Sequence, residues 1–354
     1  MNKQAENTAC VASPPADSRI KLWDWLKGLA IIAVVFDHFS IVPEHFVIWS
    51  VNIFVLVTAA TYSEPKYFFS VQKLVLKIFQ LVYLVTVGVF FFKALHSIFE
   101  LPTLYKIQTN QSLATIFLSP FKLFVRNPYL GDIWYVGLHI QFLFVLFIGL
   151  RSGILIKPKW IWSIAIPVSL LSFFATHFVF HRFDTILFSS WLIFLSAGFY
   201  GMRPLLRAVE TTHHNRWIVL SLALGLLVAL FALYPHMPWA FTNSNRSSFI
   251  TLPFYFCLLV FFCEAFHLMK NLRHLKFVKA FIILLGRHTL AIYLTHEPFA
   301  QIWKVYFSSP IIFMPLSVGC GILFGIATKA FFNPFQNWIK NIGKKTLAET
   351  AKQA

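Results

Sequence analysis

Apolar stretches close to twenty residues long recur along the chain, separated by shorter polar links rich in basic residues. About twenty apolar residues in helical form cross the ~30 Å hydrocarbon core of a bilayer. Lipid offers no partner for backbone N–H and C=O groups, so only helices and closed barrels can make that crossing. The runs here are continuous rather than alternating, which selects helices. The pattern predicts an all-α, polytopic integral membrane protein of about ten spans, at 26–43, 46–63, 74–93, 133–150, 160–178, 184–201, 216–234, 249–268, 281–301 and 308–329. The longest link, 94–132, contains Pro102, Asn110, Pro120 and Pro128. Its apolar piece Ala114–Phe124 is too short to span and reads as interfacial or re-entrant. A second loop at 234–248 holds Pro235, Pro238 and Trp239.

Composition agrees with a lipid environment. Hydrophobic residues make up 58% of the chain and charged residues 12%, against about 25% charged in soluble domains. Mean hydropathy is +0.69. Residues 1–18 are polar and Pro/Ala-rich without an apolar core, so they read as a cytoplasmic N-terminus rather than a cleaved signal, and the first span serves as its own insertion signal. Residues 19–335 then form the membrane domain and 336–354 a basic cytoplasmic tail. The net charge of +17 would suit a nucleic-acid binder, but the basic residues sit at alternate span ends and not on one soluble module. With the N-terminus inside, 23 of the 30 Lys and Arg fall on the inner side and 7 on the outer. That asymmetry predicts N-in/C-in topology. Cys10, Cys257, Cys263 and Cys320 form neither a disulfide framework nor a metal pattern.

Within the first span Lys27 and His38 lie eleven positions apart. That spacing returns to within about 20° of one helix face, roughly 16 Å along the axis. An ionisable pair on one stripe of a membrane helix is a site hypothesis by default. A neutral imidazole can take a proton from a hydroxyl, and Lys27 near the inner interface can meet an anionic group. The competing readings are a lysine that snorkels to lipid phosphates and a histidine bonded to a neighbouring helix. Asp37 is next to His38 but points about 100° away, which makes it a doubtful orienting partner. A second cluster, Leu285–Pro298, puts Thr289, Tyr293 and His296 on one face, with Arg287 at the inner end and Glu297 at the outer. Tyr293 could orient a substrate and His296 assist proton transfer, or the set could be an interhelical hydrogen-bond network. A third cluster opens a span with Trp134 and Tyr135, either belt residues or a sugar-stacking platform, followed by His139 and Gln141. No Walker A loop, nucleophile elbow, H-E-x-x-H or Cys/His pattern occurs, so no NTP hydrolysis, metal or bound cofactor is expected.

These residues resemble the membrane-bound acyltransferase-3 family. The element Arg19–His38 is similar to that family's opening helix, an Arg-Gly-Ile/Leu-Ala element followed by an apolar run ending in His. Val51–Ala59, Ile133–Leu138 and Leu285–His296 resemble three further family elements in the expected order. Lys27 stands where the family usually has Arg, and Thr58-Ala59 replaces a frequent Ser-Gly. Around Lys73 and Lys77, Leu74 and Gln80 stand where an Arg and a Pro are common. The resemblance implies an inner-membrane enzyme that moves an acyl group, most often acetyl, from cytosolic acyl-CoA to a hydroxyl of a surface or secreted polysaccharide or its lipid-linked precursor. It implies His38 as base, and Lys27, Lys73, Lys77 and Arg287 as the cationic face for the CoA phosphates. Transfer of succinyl, N-acylation of an amino sugar, or a transporter without covalent chemistry are the alternative expectations.

Overall fold

The computed structural model describes residues 16–39, 41, 49–62, 71–99, 134–151, 158–175, 188–202, 204–205, 209, 216–233 and 252–353. The link 94–132 beyond Phe99 and the loop at 234–248 lie outside the described residues. Among the described residues there is no strand. The helices are α1 (Ala16–His38), α2 (Trp49–Tyr62), α3 (Val71–Phe99), α4 (Trp134–Arg151), α5 (Pro158–Ala175) and α6 (Phe188–Ser196). A π-helical turn, Ala197–Gly201, continues α6. Then come α7 (Arg216–Leu233), α8 (Leu252–Asn271), a 3₁₀ turn Arg273–Leu275, α9 (Lys276–Arg287), α10 (Thr289–Tyr306) and α11 (Pro310–Gln353).

Among the described residues, three segments are long and apolar enough to cross a membrane: Leu74–Phe92 in α3, Leu252–Met269 in α8 and Pro310–Trp338 in α11. The segment expected as one span at 281–301 is two helices, α9 and α10, bent by 87° at a short break; counted together they make a fourth. Five further apolar helices are shorter than a full crossing. Large apolar side chains face outward along α7 and α11, among them Trp217, Leu222, Ile311, Leu323 and Phe331. A surface of that kind is stable against lipid rather than water, and the chain is a membrane protein.

Helix α1 lies at the centre. Leu22, Trp23, Trp25, Leu26, Ala30, Ile31, Val34 and Val35 are all buried, so the helix is enclosed on every side. It packs on α2, α8, α9 and α10. The Trp25 indole N–H donates to the Phe262 carbonyl at 3.1 Å, which fixes α1 against α8. Lipid tails are as apolar as leucine, so burial does not drive such helices together; close packing does, and small residues permit it. At Gly28 an added Cβ would strike the Ile282 carbonyl, and at Gly286 it would strike the Asp24 carbonyl. Helices α1 and α9 therefore touch backbone to backbone. On α11, Gly321 faces the Thr295 hydroxyl and the Ile292 Cα, and Gly325 faces the Ala291 Cβ, so these glycines let α11 approach α10 closely. Aromatic rings of α3, α10 and α11 interlock beside them, with Phe92 on Phe299 at 5.4 Å and Tyr83 on Phe332 at 5.1 Å between centroids. Arg216 and the enclosed Glu264 pair at 3.0 Å and join α7 to α8, since a charge at such depth needs a partner.

The glycine contacts give a direct test. Gly286→Ala forces the α1–α9 crossing apart and is expected to destabilise the fold by about 1–3 kcal/mol, the usual scale of overpacking. Gly225→Ala, on α7 with nothing within 4 Å, should be neutral or slightly stabilising. Thermal unfolding in detergent distinguishes them, and equal melting temperatures for both variants would refute the contact.

Candidate active site

Three basic residues from three helices meet at one cavity of about 260 Å³: Lys27 from α1, Lys77 from α3 and Arg287 from the end of α9. Helix α2 contributes Thr58, Thr61 and Tyr62, α4 contributes His139, and α10 contributes Thr289 and Tyr293. One carboxylate organises the cationic side. Asp24 Oδ1 lies 2.8 Å from Lys27 Nζ, one helical turn away on α1, and its Oδ2 accepts from Arg287 Nε at 3.4 Å. The Asp24 side chain is 10% exposed, whereas 54% of the Arg287 side chain remains accessible. The guanidinium is therefore tethered at Nε with surface left for a further anion. Lys77 Nζ donates to Gln80 Oε1 at 3.3 Å. Across the cavity the Tyr62 hydroxyl and His139 Nε2 are 3.1 Å apart.

A smaller cavity of about 140 Å³ shares Gln80, Arg287 and Leu290 with the first and adds His288, Thr328 and Lys329. Arg287 is thus a common wall, and the basic surface extends from Lys27 to Lys329. The Thr289 hydroxyl donates to the carbonyls of Leu285 and Gly286 at 3.2 and 2.7 Å. These bonds cover carbonyls at the end of α9, where the chain turns into α10.

The second part of the site lies at the other end of α1. His38 is the last residue of that helix, and its Nδ1 is 3.8 Å from Glu297 Oε2 on α10. That is ion-pair range for a protonated ring rather than a hydrogen bond. His38 and His296 stand edge to face, with ring centroids 4.8 Å apart. His296 is 1% exposed. Its Nδ1 lies 3.0 Å from the Ile292 carbonyl and 2.9 Å from that of Tyr293. Carbonyls only accept, so Nδ1 carries the proton and Nε2 keeps its lone pair. Nε2 is enclosed and has no hydrogen-bond partner among the described residues. Phe39 packs on His296 and on Phe313, closing one side of the cluster.

The sequence-predicted residues thus fall into two groups. Lys27, Lys77 and Arg287 come together at the cavity; His38 and His296 come together beyond it. Tyr293 connects them, because it lines the cavity while its ring lies 6.4 Å from that of His296. The face expected from Thr289, Tyr293 and His296 divides accordingly: the first two line the cavity and His296 is enclosed beside His38. Asp37 is half-buried next to His38, and the carboxylate beside the His38 ring is that of Glu297. Lys73 lies in the first turn of α3, and Trp134 and Tyr135 begin α4, but their side chains lie outside the described residues. Sequence reasoning missed Asp24, the partnership of Glu297 with His38, and Lys329. An acid flanked by two tryptophans and three positions before a lysine was the available signal for Asp24.

A family model described as an acyltransferase domain matches residues 20–332, a stretch that takes in both parts of the site. No curated protein and no solved structure matches the chain.

The tautomer of His296 is directly measurable. In protein labelled with ¹⁵N at histidine, the resonances that vanish in His296→Asn should show a protonated Nδ1 and a bare Nε2 at neutral pH. A proton on Nε2 with a bare Nδ1 would overturn the assignment.

Proposed function

The chain belongs to the acyltransferase-3 family, and from that premise we propose that it transfers an acyl group, most simply acetyl, from cytosolic acyl-CoA to a hydroxyl of an extracytoplasmic or cell-surface glycan. The observation that carries this reading is the convergence of Lys27, Lys77 and Arg287 on one cavity, with the His38–Glu297 pair at the far end of the same helix that supplies Lys27. Clustered ammonium and guanidinium groups suit the phosphates of a CoA donor. Eleven residues of α1 separate Lys27 from His38 by roughly 16 Å, a separation that an extended pantetheine arm could bridge. In this reading the protein has ten spans in an inner membrane, with both termini in the cytoplasm. The cavity then opens toward the side where the donor is made, and His38 toward the side of the acceptor.

In the proposed reaction the acceptor hydroxyl donates its proton to His38 as its oxygen attacks the thioester carbonyl. The new C–O bond forms, the C–S bond breaks, and the imidazolium returns the proton to the CoA thiolate. Glu297 on the Nδ1 side stabilises the positive charge that His38 carries in between. The products are an ester on the glycan and free CoA. Tyr293, between the cavity and His296, is placed to meet the acyl group as it passes from one part of the site to the other.

A covalent relay is the second reading, favoured by the lone pair of His296 Nε2. There Nε2 attacks the thioester, CoA leaves as thiolate, and an acyl-imidazolium forms that keeps its proton on Nδ1. The acceptor hydroxyl, deprotonated by His38, then attacks the acyl carbon, the C–N bond breaks to return neutral His296, and the proton on His38 passes to the CoA thiolate.

Three substitutions separate these roles in vesicles supplied with radiolabelled acetyl-CoA and acceptor. His38→Ala should lower transfer by 10²-fold or more, the usual scale for a general base, with membrane insertion unchanged; full activity in that variant would sink the assignment. Lys27→Ala and Arg287→Ala should raise the donor KM, each by about tenfold, with little change in acceptor KM. A defect confined to the acceptor would contradict the cationic cavity as donor site. Rapid quench with acetyl-CoA alone distinguishes the mechanisms: label retained on wild-type protein and absent from His296→Asn supports the relay, and unlabelled wild type supports direct transfer.

A further inference from the structure

Helix α9 presents three different surfaces along only twelve residues. Ile282, Leu285 and Gly286 are buried, on the side where the helix meets α1. Phe277, Phe281 and Leu284 recur at i, i+4 and i+7 and form a second stripe, which is exposed by 80%, 44% and 38%. Lys276 and Arg287 are eleven positions apart and so share a third edge to within about 20°. Arg273 and His274 stand exposed in the 3₁₀ turn just before the helix.

Twelve residues measure about 18 Å, well short of the ~30 Å hydrocarbon core. The eighteen residues of α10 measure about 27 Å, and the axis turns by 87° between the two helices. A crossing by α10 therefore lays α9 near the plane of the membrane. If α9 were instead the lower half of a crossing, its far end would carry Arg287, whose side chain is 54% exposed, toward hydrocarbon. Charge complementarity names what the basic edge meets. From residue 265 to residue 296 the chain has no Asp or Glu, while it has Lys270, Arg273, Lys276, Lys279 and Arg287. Lys279 is turned inward, donating to the Phe266 carbonyl at 2.7 Å and lying over that ring. That leaves Arg273 and Lys276 to face the surroundings.

We propose that α9 is a surface helix whose Phe277–Phe281–Leu284 stripe enters one leaflet while Arg273 and Lys276 bind the headgroups of anionic phospholipids. An amphipathic helix with an apolar face and a basic edge binds interfaces in this way. The consequence reaches the cavity. Helix α9 ends at Arg287 and is joined to α1 at Gly28 and Gly286, so the membrane surface fixes the level at which Arg287 and Asp24 stand. The inference depends on the membrane setting and not on the identity of donor or acceptor.

The test uses the full chain in nanodiscs with a fluorescent amino acid at position 277. A lipid-borne nitroxide just below the headgroup should quench it more strongly than one near the chain end. Anionic carrier lipids should quench it more than zwitterionic ones. Arg273→Glu with Lys276→Glu should remove that anionic preference, on the order of fivefold for each residue changed, and leave the quenching depth the same. Strongest quenching from the chain end would mean a crossing segment, and quenching only by aqueous iodide would mean a solvated face. Protection from all quenchers with cross-linking between copies at position 277 would mean that a second copy covers the stripe. Each of these three results overturns the proposal, as does an anionic preference untouched by the double charge reversal. None of the readouts measures acyl transfer, so failure here is distinct from failure of the enzymatic reading.

Discussion

The contact on which the site depends is the backbone-to-backbone crossing of α1 and α9. Two glycines make it possible, Gly28 facing the Ile282 carbonyl and Gly286 facing the Asp24 carbonyl. Any side chain at either position would part the helices. The crossing brings Asp24 beside Arg287 across 263 positions of sequence, while Lys27 follows Asp24 by one turn on the same helix. The far end of α1 is then no longer independent. Helix α10 leaves α9 through the 87° bend, and His38 at the end of α1 meets Glu297 and His296 on α10. One central helix is thus held at both ends by the two arms of a single bent pair. Its length sets the separation of the cationic cavity from the histidines.

The polar groups of this site are arranged as lipid requires. Charges far from water are tolerated when paired, and removing one partner leaves the other uncompensated. Asp24 lies between two cations, Glu264 is paired with Arg216, and Glu297 lies beside a histidine that can become charged. His296 Nε2 is different, an enclosed acceptor with no hydrogen-bond partner among the described residues. Leaving such a group unsatisfied typically costs about 1–3 kcal/mol. Among the described residues, His296 spends only Nδ1 on the protein. That asymmetry, set beside the His38 ring 4.8 Å away, leaves an acceptor nitrogen at the histidine pair.

Much of the architecture was legible in the sequence because lipid makes hydropathy a strong signal. Helices α3, α4, α5 and α7 lie where spans were expected at 74–93, 133–150, 160–178 and 216–234, and of these the Leu74–Phe92 part of α3 is long and apolar enough to cross. The Lys27–His38 stripe stood out because ionisable residues are rare in an apolar run. The break at His288 was hidden, since the short polar run Arg287–Thr289 lies between apolar stretches and no proline marks it. The roles of Asp24 and Glu297 were hidden for a different reason. Each acts on a residue in a distant segment, and only the glycine crossing brings those segments together. The division of Thr289, Tyr293 and His296 between cavity and histidine cluster was likewise beyond periodicity. Helical spacing gives a direction about one axis, not the identity of the neighbour in that direction.

Lys27 stands where the resembling family usually places an arginine. An ammonium lacks the planar fork that grips a phosphate through two parallel bonds, so in isolation the residue is a weaker anion ligand. The crossing of α1 with α9 changes that comparison. Arg287 is brought to the same cavity, tethered through Nε to the carboxylate that also holds Lys27, and much of its side chain remains accessible. In the proposed reaction the fork is therefore supplied by α9 and the point charge by α1, with Asp24 fixing their relative position. In this chain the guanidinium of the cavity thus stands on α9 and the ammonium on α1. That arrangement also makes the donor site depend on α9, whose own position is set by its packing on α1 and by the membrane surface proposed for its exposed face.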